Sequence, residues 1–373
     1  MSRQGPLADS YWAAVALVIL ALTPFLVLTS AVSSLNELIG SSLHLSEAEL
    51  EMTAGMANAA YCFGTVLSIQ LITRLRPRLI LVGLILTFVA ASVVAAWAPT
   101  AGLFIAARVM QGLVTSMMLI AAVPPLVIGW PKGRQRWTAM TMNLAIFGAV
   151  ALGPVVGGVA AGLETWRTLF WVVAAISFVA LVFVVLTYED APPQDPDAPL
   201  DVISVTLAGF GTAAAFFGVS ELTTHSFGAP IALIPLLAGV LLVLLLLVHQ
   251  YAVEDALMPV EKLARTIPVA AILVAMCAAA VAVGLIDLAE AALELQKTDP
   301  THGAMLFWPE FGGAVATAVL FGAIYFTRWV PAVAFAGMFV LVGAAAVLSG
   351  VATGSEALVV IGSGATGVGV GAS

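Results

Sequence analysis

Apolar residues run through this chain in long blocks, separated by short clusters of Gly, Pro and charged residues. A helix that crosses a bilayer needs roughly 20 apolar residues at about 1.5 Å rise each. On that rule the pattern predicts eleven spans, at about 12–38, 52–72, 79–98, 102–130, 138–162, 168–188, 201–221, 229–251, 267–289, 304–327 and 331–352. Ala357 to Ser373 begins a twelfth. The expected fold class is an all-α polytopic membrane protein. The first block is longer than a signal-peptide core and many spans follow it, so it reads as a retained helix.

One block departs from simple hydropathy. Gly148 to Gly158, GAVALGPVVGG, places a Gly-Pro pair inside the fifth span. A proline in a helix interior removes a hydrogen bond, and in hydrocarbon the freed carbonyl must find a partner in a neighbouring helix. Gly153 and Gly157, and likewise Gly158 and Gly162, are four apart and share a helical face, which lets another backbone approach. The stretch predicts a bent, tightly packed helix.

Composition narrows the class. With 62% hydrophobic and 9% charged residues, an ordinary water-soluble domain is excluded. The net charge of -8 argues against nucleic acid, leaving lipid bilayer and a small-molecule substrate as the expected partners. Basic loop residues set the expected orientation: Arg74, Arg76, Arg78, Lys132, Arg134, Arg136, Lys262, Arg265 and Arg328 fall on one side, Arg167 and Lys297 on the other. That bias places the N-terminus in the cytoplasm of a cell membrane. The segment 189–201, EDAPPQDPDAPLD, is acidic, proline-rich and expected to be extended. It divides residues 1–188, a six-span half, from two additional spans at 202–252 and a partial second half at 253–373. The glycine-rich last segment ends without a basic flank or polar tail, so the expectation is a C-terminally truncated chain.

Few groups remain that carry chemistry. Arg108 lies roughly 10 Å inside the fourth span, with Gln111 on the same face and Gly112 beside it. An intramembrane arginine is a functional candidate; the alternative is a structural side chain bonded to helix carbonyls or reaching outward. Glu310, in LFWPEFGG, lies roughly 9 Å inside the tenth span, where burial favours the neutral acid that a proton-coupling site needs. Asp287, Glu290 and Glu294 fall on one face at the end of the ninth span. That acidic stripe either attracts cationic substrates or belongs to an amphipathic extension. Trp97, Trp130, Trp137 and Trp329 suit an interfacial belt. Cys62 and Cys277 are isolated, and the four histidines have no metal-ligand spacing. No metal, no organic cofactor and no enzymatic constellation is expected.

RVMQG in the fourth span, GAVALGPVVGG in the fifth and WRTLFWV opening the sixth resemble signatures of the major facilitator superfamily. They most resemble its fourteen-span drug/proton antiporter branch, as do the two additional spans and LMPVEKLARTI before the ninth. The resemblance implies a major-facilitator-like helical bundle performing proton-coupled efflux of amphipathic or cationic small molecules, with a proton as coupling ion. It assigns Arg108 and Gln111 to coupling or substrate. Gly148, Gly153, Pro154, Gly157 and Gly158 take helix packing and leak control. The chain departs from the family pattern between spans two and three, where Ile72 and Leu75 stand for the usual aspartate and a glycine, and in span one, where Thr29 stands near a common aspartate. Those departures motivate the alternative of a transporter-derived binding or assembly protein without transport.

Overall fold

The computed structural model describes residues 6–188, 191–193, 195–253, 257, 264–351 and 354–373. Among the described residues there is no strand, and eleven helices are long and apolar enough to cross a membrane. They are Tyr11–Ala31, Glu47–Arg74, Pro77–Trp97, Ala101–Ile128, Lys132–Gly162, Trp166–Thr187, Val202–Thr223, Pro230–Ala252, Pro268–Leu295, Pro300–Ile324 and Val330–Leu348, here spans one to eleven. A shorter helix, Glu356–Ala372, follows. Lys262, Glu189, Asp190 and most of LMPVEKLARTI lie outside the described residues.

Local chemistry explains where the helices differ from the hydropathy pattern. Span two begins at Glu47 because Ser46 and Glu49 form a reciprocal capping box: the Glu49 backbone N–H donates to Ser46 Oγ at 3.3 Å and the Ser46 N–H to Glu49 Oε2 at 2.8 Å. Pro77, Pro230 and Pro300 open helices at positions where no intrahelical N–H is needed. Span one is shorter than its apolar block. Its helix ends at Ala31, a 3-10 turn follows at Ser33–Leu35, and a separate short helix covers Asn36–Leu43. In span five the irregular element is a wide π-type turn at Leu144–Gly148, ahead of Pro154, and the regular helix resumes at Ala149.

The chain forms two compact units. The first contains the chain up to Phe25, Ile39–Gly129 and Arg167–Ala264, hence spans two, three, four, six, seven and eight. Spans two and four lie close because small residues face each other: a Cβ built on Gly112 would meet the Ala57 backbone carbon at 2.9 Å. Ser68 Oγ in span two donates to the Met117 carbonyl at 3.2 Å. Spans seven and eight form a hairpin, and Phe63, Val66, Ala208 and Leu246 pack it against span two. A polar knot closes its ends, where Asp201 accepts from the Ser204 N–H at 2.9 Å and from Gln250 Nε2 at 2.9 Å.

The second unit contains Leu26–Leu38, Trp130–Trp166 and Arg265–Ser373. Span five is its centre. Gly153 and Gly157 accept the backbone of Ser30 and Ala31, to which added Cβ atoms would come within 2.8–3.0 Å. On its other side Gly158 faces Pro300 and Ala304, at the start of span ten. Val155 joins Ile286, Ala289, Leu293, Leu306 and Phe307 in one apolar cluster. Glu356–Ala372 packs on span ten, with Ser363 Oγ donating to the Leu306 carbonyl at 3.1 Å.

Candidate functional site

In the first unit, span four presents Arg108, Gln111 and Thr115 on one buried face, at the spacing that aligns side chains along a helix. Arg108 is 3% exposed. Its Nη1 donates to Gln111 Oε1 at 3.1 Å; Gln111 Nε2 donates to Ser92 Oγ of span three at 2.8 Å, and Ser92 donates to the Phe88 carbonyl at 2.8 Å. The guanidinium carbon lies 5.6 Å from the centre of the Phe25 ring and 5.9 Å from that of Phe170. Aromatic faces stabilise a desolvated cation electrostatically. Among the described residues no carboxylate pairs with Arg108. The charge is therefore held by neutral dipoles and rings.

In the second unit the groups are acids. Glu310 sits in the first turn of the regular helix Trp308–Ile324, just after a break at Leu306–Phe307, and is 4% exposed. Its Oε2 is buried without a hydrogen-bond partner among the described residues. The closest approach of the last helix explains the burial, since a Cβ on Gly367 would meet the Glu310 backbone carbon at 2.7 Å. Glu290 and Asp287 are near enough to act electrostatically on Glu310. The acidic stripe of span nine is thus divided: Asp287 and Glu294 are exposed, whereas Glu290 turns to the end of span one. Ser34 Oγ donates to Glu290 Oε1 at 3.0 Å, and Ser33 Oγ lies 3.1 Å from Oε2.

The structure brings Arg108 together with Gln111, with Gly112 next in the same helix, and sets Glu310 within electrostatic reach of Asp287 without a direct bond between them among the described residues. Gly148, Gly153, Pro154, Gly157 and Gly158 are buried and line the packing faces of span five without offering a titratable group. Sequence reasoning missed Ser33, Ser34, Ser92, Phe25 and Phe170 as partners. The one signal was the Ser33-Ser34 pair, polar within an apolar block.

Basic loop residues have structural work as well. Arg74 Nε donates to the Ala198 carbonyl and Arg78 Nη2 to the Val185 carbonyl, each at 2.9 Å. Arg167, from WRTLFWV, donates through Nη1 to the Ala96 and Ala98 carbonyls at the end of span three, 3.0 Å each. Carbonyls at a helix end lack intrahelical partners, and a cation suits them.

The model of the Major Facilitator Superfamily matches residues 16–373. The chain belongs to this superfamily. Similar members include an uncharacterized MFS-type transporter, YubD, of Bacillus subtilis, 25% identical over 84% of this chain and 62% of that protein. The lincomycin resistance protein LmrB of the same species is 27% identical over 44% of this chain and 35% of its own length. The cephamycin export protein CmcT of Amycolatopsis lactamdurans is 25% identical over 67% and 52%. The chain therefore spans less than two thirds of the length of these relatives. Its fold is shared with the POT family transporter PepTSo, with a TM-score of 0.60 at 13% identity over 97% of this chain and 81% of that one. As a superfamily member it has a multi-pass, all-helical membrane fold.

Proposed function

We propose that this protein is a secondary active transporter that exports amphipathic or cationic small molecules in exchange for protons, by alternating access. The observation that carries the reading is Glu310, a buried carboxyl with an oxygen that nothing among the described residues bonds. An ionised carboxylate there would be a buried uncompensated charge, so the site tolerates the neutral acid and must move or hydrate to release the proton. Those are the properties of a group that carries a proton between two states. Export is supported by the similarity to LmrB and CmcT, named as a lincomycin resistance protein and a cephamycin export protein.

In this reading Arg108 supplies a fixed positive potential that couples substrate to proton, with Gln111 as its polar neighbour. Asp287, exposed beside Glu310, is the candidate attraction for cationic substrates. The glycine face of span five keeps the second unit sealed while it changes conformation. The proton is the coupling ion and no organic cofactor or metal takes part. The branch is that of the fourteen-span drug/proton antiporters, with the N-terminus cytoplasmic in a cell membrane.

The test is proton movement in proteoliposomes containing the full-length protein, recorded on addition of a panel of cationic and neutral amphipathic solutes. Wild type acidifies or alkalises the lumen with substrate; Glu310→Gln abolishes the response while the protein still inserts and binds. Unchanged coupling in Glu310→Gln removes Glu310 from the mechanism. Silence of the wild type across the whole panel favours the non-transporting reading, which the departures at Ile72 and Leu75 support.

A further inference from the structure

The cations of the second unit gather at one end. Spans five and ten run antiparallel, with Gly158 beside Pro300 and Ala304, Gly148 beside Phe311 and Gly322 beside Met140. The start of span five and the end of span ten therefore share one membrane boundary, which carries Lys132, Arg134, Arg136 and Arg328. Arg265 precedes the continuous helix Thr266–Leu295, whose far end packs with Val155 and Leu306, so it falls at the same boundary. The described acids of this unit, from Glu37 and Glu164 to Asp287, Glu310 and Glu356, all lie toward the opposite one.

The cationic boundary also holds a cleft of about 190 Å³, lined by Arg136, Trp137 and Met140 of span five and by Val319, Gly322 and Ala323 of span ten. It opens where two small residues, Gly322 and Ala323, oppose Met140. Val319 is 58% exposed, so the cleft is open on the lipid-facing side of the helices. Met140 lies one helical turn beyond Arg136, so the cleft runs about 6 Å from its charged mouth into the apolar layer.

At the mouth Arg136 is exposed, and its guanidinium carbon lies 5.3 Å from the centre of the Trp137 ring. A guanidinium held on an aromatic face keeps its in-plane N–H groups for a phosphate, and tryptophan suits the membrane boundary. Among the described residues no acid pairs with Arg136. A free inorganic anion would leave the cleft empty, and an apolar chain with a neutral head would leave the cation unmatched. An amphiphile with an anionic head satisfies both.

We propose that the cleft between the start of span five and the end of span ten binds one anionic phospholipid, its phosphate on Arg136 and the upper part of an acyl chain along Met140, Val319, Gly322 and Ala323. Lys132, Arg134, Arg265 and Arg328 enrich anionic lipid around this boundary, and the cleft fixes one molecule of it. The site uses neither Arg108 nor Glu310, so it stands or falls apart from the transport reading.

The experiment is native mass spectrometry of the full-length protein, equilibrated in detergent with equal amounts of phosphatidylglycerol and phosphatidylcholine of the same acyl chains. Wild type retains one phosphatidylglycerol in preference to phosphatidylcholine. Arg136→Gln lowers that preference about fivefold, the contribution of one basic residue near a membrane surface, and Arg136→Lys keeps most of it. Ala323→Phe fills the cleft with every charge intact and lowers the retained phosphatidylglycerol. Both positions are exposed, so the fold persists in these variants. Arg265→Gln, which does not line the cleft, has a smaller effect than Arg136→Gln. Equal retention of the two lipids by wild type overturns the proposal, as does a wild-type preference in Arg136→Gln. An unchanged adduct in Ala323→Phe overturns the assignment to the cleft, and equal losses in Arg265→Gln and Arg136→Gln replace the site with a diffuse surface field.

Discussion

Arg108 and Glu310 are buried to nearly the same degree, at 3% and 4% exposure, but their surroundings treat charge in opposite ways. Around Arg108 the chain supplies an acceptor from Gln111, a relay to Ser92 and two aromatic faces. A guanidinium stays protonated at any accessible pH, so a site built for it has to accommodate a constant charge. Around Glu310 the chain supplies other acids and leaves one oxygen bare. A carboxyl can shed its charge, so its site can be incomplete in one protonation state and complete in another. The first cluster holds a fixed potential; the second can switch.

The comparison can be broken at either side. The largest effect is expected from Arg108→Ala in the full-length protein, which removes the cation between Phe25 and Phe170 and strands Gln111: proton-driven efflux is lost and the first unit is destabilised by about 2–4 kcal/mol. Transport at the wild-type rate with normal expression would show that the fixed charge is dispensable. Next comes Gly157→Val, whose side chain would strike the Ala31 backbone; thermal unfolding should register a loss of about 1–3 kcal/mol. An unchanged melting curve would mean that the seat of the serine turn is not tightly packed. Ser92→Ala leaves the Gln111 amide without its acceptor, at a cost of about 1–2 kcal/mol in a buried site, and should weaken coupling less than Arg108→Ala.

The smallest effect uses an acid that is fully partnered. Partial burial pushes the Asp201 carboxyl up, but hydrogen bonds from the Ser204 side chain and backbone, together with His249, outweigh this and hold it below the usual carboxylate range. Asp201→Ala should cost about 1 kcal/mol at neutral pH through loss of the helix cap. Because the folded state depresses this carboxyl, its stabilisation is present above the unfolded value near 4 and is lost as pH falls through the folded one. The difference between variant and wild type in melting temperature should therefore narrow in acid. A gap that widens in acid would reverse the sign assigned to Asp201.

The spans are legible because hydrocarbon demands long apolar helices, and the eleven expected blocks correspond to eleven helices. Arg108 with Gln111 is legible for the same kind of reason: both lie on one helix three residues apart, so periodicity alone pairs them. Ser92, Phe25 and Phe170 come from three other spans, and no local pattern joins them to Arg108. Glu310 is legible as an acid within a span, but not its bare oxygen, which depends on the approach of Gly367. Span one shows the limit most clearly. Hydropathy continues to residue 38, whereas the helix ends at Ala31, where serine hydroxyls bond backbone locally and compete with the helical ladder. Their other partner, Glu290, is 257 residues from Ser33.

The wide turn at Leu144–Gly148 makes span five sensitive to a kind of change that substitution scans do not sample. A π-type turn accommodates one residue more than an α-helical turn, and one residue rotates a helix face by about 100°. Deleting a single residue there would restore a regular helix while swinging Gly153, Gly157 and Gly158 away from Ser30, Ala31 and Ala304. Length, more than identity, is what natural variation has to conserve across residues 144–147, so homologous chains should tolerate exchange among apolar residues there, keep the small residue at Gly148, and exclude insertions and deletions.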